Sequence, residues 1–332
     1  MLPLLEIRNL TTRIVRGHGE TLVVDGVSLA LQRGAALGVV GESGCGKTLL
    51  ALSVMRLLPP AGAITGGQIL LEGRDLVGLP EREMRAVRGR RLAMVFQAPQ
   101  GALNPVLSLG VQLAEAIRLH RGGSWRQAHE AAVEALRAVG LADAGRLAEN
   151  HSHQLSGGMR QRAMIAMALS CNPDLLLADE PTTALDATVQ AQILALLRAL
   201  RAERRLTLFL ISHDLTVVST VCDEVAVLYA GQIVERGPAK ELLERPVHPY
   251  TAALRRASLA DKPRPAGASR PRLDAIPGHV PEERLAGCSF APRCPRAAPE
   301  CWAARPPLAP VGPHRAAACL YPLSDGLHET AS

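Results

Sequence analysis

Eight consecutive residues, Gly41-Glu42-Ser43-Gly44-Cys45-Gly46-Lys47-Thr48, carry the strongest chemical signal in the chain. In the pattern G-x-x-x-x-G-K-[ST], glycines let the backbone curl until several N–H groups converge on phosphate oxygens. A following helix adds the positive end of its dipole. Lys47 is then placed to reach the β- and γ-phosphates, and Thr48 to ligate Mg²⁺ through its hydroxyl. A second signal is Asp174-Leu175-Leu176-Leu177-Ala178-Asp179-Glu180, an apolar run that ends in two carboxylates. On a strand parallel to the one before the loop, both would reach the same rim. Asp179 would hold Mg²⁺, often through water, and Glu180 would face the attacking water as general base or polariser. An Asp-Glu pair by itself is a solvated strand end, and only the phosphate loop gives it meaning.

These groups need elements to hold them. Residues 35–40 are nearly all apolar and read as a buried parallel strand feeding the loop, with a helix over 47–58. Residues 175–178 and 206–211 read as two more buried strands. Residues 4–10 and 22–31 predict an antiparallel edge, and 67–72 and 91–96 further strands. Helices are expected within 109–139, over 160–170, and over 187–203, where Val189, Ile193, Leu196, Leu197 and Leu200 share one stripe. Residues 225–229 and 232–235 form a hairpin turning at Ala230-Gly231. The fold class is α/β.

The 332 residues suggest about two domains. Only 2% are aromatic, so the core must be aliphatic and a base-stacking surface for nucleic acid is not expected. The formal charge of +6 is dispersed and fits any anionic ligand or surface. No apolar run reaches the ~18 residues needed to span a bilayer. No leader is evident at the start, so a cytosolic chain with reduced thiols is expected. Composition shifts near residue 259: thirteen of the 24 prolines and four of the seven cysteines lie beyond it, marking an irregular module.

Leu155-Ser156-Gly157-Gly158-Met159 precedes the helix expected over 160–170, and a Ser-Gly-Gly helix start offers free N–H groups, a hydroxyl and the dipole. Placed some twenty residues before Asp179-Glu180, it resembles the signature motif of ATP-binding-cassette (ABC) ATPases. Gln97 resembles that family's Q-loop glutamine, Ala184-Leu185-Asp186 its D-loop, and His213 its switch histidine. The resemblance spans nearly the first 250 residues. It implies a P-loop NTPase core of ABC type with an antiparallel β subdomain and an α-helical signature subdomain over about 98–165. Within the family, His153-Gln154 with the signature, residues 178–186, His248-Pro249-Tyr250-Thr251 and the cysteine tail resemble the oligopeptide and dipeptide import branch. The Leu-Ser-Gly-Gly-Met form is similar to its D-type subunit.

The resemblance implies a mechanism and partners. Two such subunits clamp two ATP molecules, each between the 41–48 loop of one and Leu155–Met159 with Asp186 of the other. Glu180, His213 and Gln97 act in hydrolysis, and Thr48, Gln97 and Asp179 hold Mg²⁺. Expected partners are a second ATPase, usually a different F-type subunit, two membrane permeases and, indirectly, an extracellular binding protein, with no nucleic acid. The expected place is peripheral, on the cytoplasmic face of the inner membrane. Residues 1–246 form the cassette and 247–332 the extension. An ABC ATPase of translation or DNA repair is the alternative, and nickel chelates or glutathione are alternative cargoes of the same branch. One cassette, with only 107 residues between Thr48 and Ser156, favours transport.

Two features stand apart. The family usually stacks adenine on an aromatic residue some 25–30 positions before the phosphate-loop lysine; here residues 13–20 hold none, leaving Ile14, Val15, Arg16 or His18. Cys288, Cys294, Cys301 and Cys319 are spaced C-x5-C-x6-C-x17-C, too wide for zinc-ribbon pairs and unlike ferredoxins. The resemblance implies a [4Fe-4S] cluster on these four; zinc and free thiols are the other readings. Cys45, Cys171 and Cys222 are expected to pack as small residues, and alkylation of Cys45 to block ATP.

Overall fold

The computed structural model describes residues 2–16, 19–97, 99–260, 276–281 and 284–323. They form two compact bodies. One is Ala36–Val77 with the chain before Leu31 and after Ile211; the other is Leu31–Ala35 with Gly78–Ile211. In chain order the strands are β1 (Leu5–Arg16), β2 (Gly19–Leu31), β3 (Ala36–Val40), β4 (Gly62–Leu71), β5 (Arg74–Asp75), β6 (Leu92–Val95), β7 (Leu175–Asp179), β8 (Thr207–Ser212), β9 (Glu224–Tyr229), β10 (Gln232–Pro238), β11 (Ala309–Gly312) and β12 (Arg315–Ala317).

In the first body β2, β1, β4 and β5 make an antiparallel sheet. Val27 and Leu29 of β2 are buried while their neighbours are exposed, the alternation of a sheet wet on one face. β1 and β4 are longer than their apolar runs predict, because they pair from Leu5↔Leu71 to Ile14↔Gly62 through a bulge after Arg8. Backbone pairing past the bulge has no hydrophobic signature in the sequence. β3 is buried at all five positions and runs parallel to β9, from Leu37↔Glu224 to Val40↔Val227. β10 pairs antiparallel with β9, and β12 of the extension adds to β10 through Glu235↔Ala317. The proline-rich tail is thus less irregular than its composition suggests.

The helix after β3, Lys47–Met55, ends before the predicted residue 58. Arg56 takes a left-handed φ of 50° and its guanidinium donates to Leu76 O at 3.0 Å. Pro59 and Pro60 follow and forbid continuation.

In the second body β6, β7 and β8 run parallel, registered by Leu92↔Leu175 and Leu175↔Thr207. All are buried along their length, as strands covered on both faces must be. Asp174, just before β7, accepts from Arg33 at 2.6 Å and from Arg91. Burial opposes its charge, but the two guanidinium hydrogen bonds prevail and hold the carboxyl below its ordinary range. The helical part contains Leu109–Arg121, Trp125–Ala138 and Gly157–Leu169. Ser124 and Gln127 form a capping box on the second of these. Trp125 does not pack inside. It is half-exposed, with the Arg118 guanidinium 5.0 Å from its ring centroid. Among the described residues no helix is long and apolar enough to cross a membrane.

Candidate functional site

The phosphate loop sits between β3 and the helix Lys47–Met55. Gly46, the helix N-cap, has φ 107°, and a Cβ there would lie 2.2 Å from Val23 O. A side chain at Gly41 would meet Leu228 O at 2.2 Å. Both positions accept glycine alone. Lys47 is buried and donates from Nζ to Gly41 O at 2.8 Å and Glu42 O at 2.9 Å, so the ammonium lies along the loop's inner curve. Ser43 and Gly44 are exposed, Glu42 and Thr48 half-buried, and Cys45 is 1% exposed. Burial pushes the Cys45 thiol up, against the opposing pull of Lys47. Buried in this way, Cys45 packs as a small residue, and a thiol with little thiolate and almost no exposed surface is slow to alkylate.

Glu42 is gripped from the extension, a link the sequence reading missed. Its backbone N–H donates to Tyr250 Oη at 2.8 Å. Its carboxylate receives both ends of Arg293: Nη1 to Oε2 at 2.7 Å and Nη2 to Oε1 at 2.9 Å. Arg293 also donates to Pro277 O at 2.7 Å and Ile276 O at 3.0 Å, and its guanidinium lies 5.8 Å from the Tyr229 ring centroid. The hydrogen bond to Glu42 raises the Arg293 pKa further. Tyr229, Tyr250 and Phe290 pack on one another behind the loop, all at 2% exposure or less. Burial pushes the Tyr250 hydroxyl up, so it stays a neutral acceptor. The available signal was a Pro-Arg-Cys triplet, Pro292-Arg293-Cys294, in an otherwise loose tail.

Two more arginines clasp this body. Arg305 reaches Asp25 at 2.8 Å, and Arg315 reaches Glu235 at 3.0 Å. Glu235 has no exposed surface and also accepts from Val247 N and His248 N at 3.0 and 2.9 Å. Exposed ion pairs are worth about 0–1 kcal/mol; the Arg315–Glu235 pair is buried on both sides and costs several to break, whereas Arg305 is more than a third exposed and water screens its pair with Asp25.

His213 follows β8 and is exposed; the next residue, Asp214, caps the helix Leu215–Val221 through Thr216 N at 2.7 Å.

In the second body β7 delivers Asp179, 2% exposed, and then Glu180, whose φ is 45° and whose N–H donates to Ile211 O at 3.0 Å. Glu180 Oε2 accepts from Gln97 Nε2 at 3.1 Å and from Thr183 Oγ1 at 2.8 Å. Gln97 and Glu180, 83 residues apart, therefore face one another. Ser156 caps the helix Gly157–Leu169, accepting from Met159 N at 3.3 Å. Ser156 and Gly157 are exposed, Gly158 and Met159 half-buried, and Leu155 anchors the turn at 4% exposure. Asp186 caps the helix Ala187–Arg204 through Val189 N at 2.9 Å, and a Cβ on Gly158 would strike Val189 Cγ1 at 2.6 Å. The signature and the residues after Ala184 thus share one packing contact.

The four tail cysteines line a single small cavity with His248, Phe290 and Tyr321. Cys288 N donates to Cys301 O at 2.7 Å, closing the chain around it. Burial, with the mutual charge of the group, raises Cys288 and Cys294 and pushes Cys319 up to about 11. Among the described residues no three His, Cys, Asp or Glu stand close enough for one metal ion. Zinc needs four ligands on one tetrahedron with bonds of about 2.3 Å, so the zinc reading finds no preformed site. An iron–sulfur group finds no preformed ligand set among the described residues either, although four thiols on one cavity are the donor type that such a group takes.

Of the four residues considered for covering a base, Ile14 is buried and Val15 exposed. The side chain of Arg16, and His18, lie outside the described residues.

Residues 24–183 match the family described as ABC transporter, and residues 234–301 match the oligopeptide/dipeptide transporter C-terminal region. A probable peptide ABC transporter ATP-binding protein of Sinorhizobium fredii is 49% identical, covering 95% of this chain and 94% of its own. The chain belongs to the ABC transporter ATP-binding proteins. The oligopeptide transport ATP-binding protein AppD of Bacillus subtilis is 42% identical over 99% of this chain and 100% of its own. OppD of Salmonella typhimurium is 43% identical over 97% and 95%. Among solved structures, the dimeric ATP-binding cassette MJ0796 with ADP and phosphate superposes at TM-score 0.64, with 27% identity, over 71% of this chain and 98% of that one. The fold class read from the sequence, an α/β P-loop cassette of ABC type, holds. As a family member the chain is an ATPase.

Proposed function

We propose that this ABC ATPase powers import of peptides through a membrane transporter. The observation that carries it is one chain holding the phosphate loop, the Gln97–Glu180 pair, the signature cap and the oligopeptide-type C-terminal region together. Relatives named for peptide import or oligopeptide transport support the cargo class. They lend nothing to a role in translation or repair.

In this reading residues 41–48 bind the triphosphate of ATP through backbone N–H groups and Lys47. Thr48, Asp179 and Gln97 would hold Mg²⁺, which shields the phosphate charge. Glu180 accepts the proton of the attacking water, and its bonds from Gln97 and Thr183 fix the carboxylate for that task. His213 binds the γ-phosphate and orients Glu180. Leu155-Ser156-Gly157-Gly158-Met159 and Asp186 cover the ATP of a second subunit, Ser156 and the helix N-terminus offering donors to the γ-phosphate. ATP drives closure only through its higher affinity for the closed pair.

The partner is an F-type ATPase, and the chain acts with two permeases on the cytoplasmic face of the membrane. The names of AppD and OppD support the D-type role, with residues 1–246 as cassette and 247–332 as extension in this reading. Cys288, Cys294, Cys301 and Cys319 would hold a [4Fe-4S] cluster, which supplies a structural cross-link when bound.

The test uses the assembled transporter in vesicles with a labelled dipeptide. Ser156→Arg in this subunit should leave ATP binding intact and stop both closure and uptake. Full uptake by that variant, or ATP-independent uptake, would refute the shared site.

A further inference from the structure

The first body contains a cavity of about 720 Å³ whose walls come from distant parts of the chain. Ser43, Gly44 and Cys45 of the phosphate loop, Leu22 and Val23 of β2, and Val280, Pro281 and Arg284 of the extension line it together. Its volume lies within the roughly 300–1,000 Å³ of small-molecule sites. A nucleotide with its phosphates on the loop needs a surface for its base beside them. Residues 13–20 supply no aromatic, and Tyr229, Tyr250 and Phe290 are spent on one another in the core.

We infer that the extension supplies this surface: the nucleotide's base lies between Leu22-Val23 and Val280-Pro281, with Arg284 at its rim. All four apolar residues are half-buried, so each presents part of its surface to the cavity. A purine face can pack on aliphatic as well as aromatic surface, and Leu22, Val23, Val280 and Pro281 supply apolar surface here. The wall is held in register from below. Asp25, buried in the cavity floor, takes Arg284 at 3.4 Å, Arg305 at 2.8 Å and Gln232 Nε2 at 2.7 Å. The extension is thereby a specificity element of the nucleotide site. This rests on the reading of residues 41–48 as the triphosphate site.

The test measures equilibrium binding of MgATP and of Mg-tripolyphosphate, which has no base, to the full chain. Val280→Ala with Pro281→Ala should weaken ATP about tenfold and leave tripolyphosphate within about twofold. Unchanged ATP affinity, or an equal loss for both ligands, overturns the base wall. A wild-type chain that binds neither ligand instead overturns the phosphate-loop reading beneath it. A second measurement needs no variant. Photolabelling wild-type protein with 8-azido-ATP should mark a peptide containing residues 276–293. Labelling that never reaches the extension overturns the proposal.

Discussion

Replacing Arg293 by methionine should loosen the phosphate loop from a distance of 251 residues along the chain. The wild-type guanidinium is 4% exposed and makes two charge-assisted bonds to Glu42, two to backbone carbonyls, and a ring contact with Tyr229. Deleting one partner of a fully buried pair costs about 3–5 kcal/mol. Glu42 is 26% exposed on its side chain, so water recovers part of its solvation and the cost falls to about 2–3 kcal/mol. For a chain this long that lowers the melting temperature by about 5 °C. Freeing one loop residue restores about 1–2 kcal/mol of backbone entropy, which ATP must then remove, so affinity should drop about tenfold. Calorimetric binding and thermal unfolding of Arg293→Met, Glu42→Gln and the double variant give the coupling directly. A double variant as impaired as the sum of the singles, or an Arg293→Met protein with wild-type affinity and melting point, would show that the clasp does not act on the loop.

Glu180→Gln should keep ATP binding and lower turnover about 10²- to 10⁴-fold; steady-state hydrolysis at the wild-type rate rejects Glu180 as the water-activating group. Cys45 should resist iodoacetamide in the native protein at neutral pH and react only on unfolding, as peptide mapping would read; prompt labelling contradicts its burial and raised pKa. His248 is buried and, by desolvation, pushed down to about 4, with Nδ1 accepting from Tyr250 N at 3.1 Å. The unfolded chain takes up a proton near pH 6.5 while the fold resists until about pH 4. This contribution is therefore whole above pH 6.5 and is lost as pH falls through that window, to a limit of about 3 kcal/mol. Urea midpoints at pH 7.5 and 4.5 should diverge more for wild type than for His248→Gln, and equal divergence refutes it.

The loop of residues 41–48 was legible because its geometry constrains type and spacing over a few residues: Gly46 takes φ 107° with no room for a Cβ, and Lys47 follows it at the helix start. The buried strands were legible because β3, β7 and β8 are apolar throughout. What escaped was non-local. The Arg293–Glu42 pair joins two segments whose local sequences announce nothing of each other. Strand β12 is a short Arg-Ala-Ala run whose pairing depends on β10, not on its own propensity. Ile14 looked available for a base, yet the register of β1 on β4 turns it inward.

Glu42, Asp25 and Glu235 each depend on an arginine that lies beyond residue 290. Trimming the chain beyond residue 290 would therefore strip each of three carboxylates of an arginine, leaving Asp25 with Arg284 and Gln232 and Glu235 with the N–H groups of Val247 and His248. A shortened descendant of this gene should favour neutral side chains in place of those acids. Acids and arginines should accordingly appear and vanish as sets when lineages gain or shed the tail.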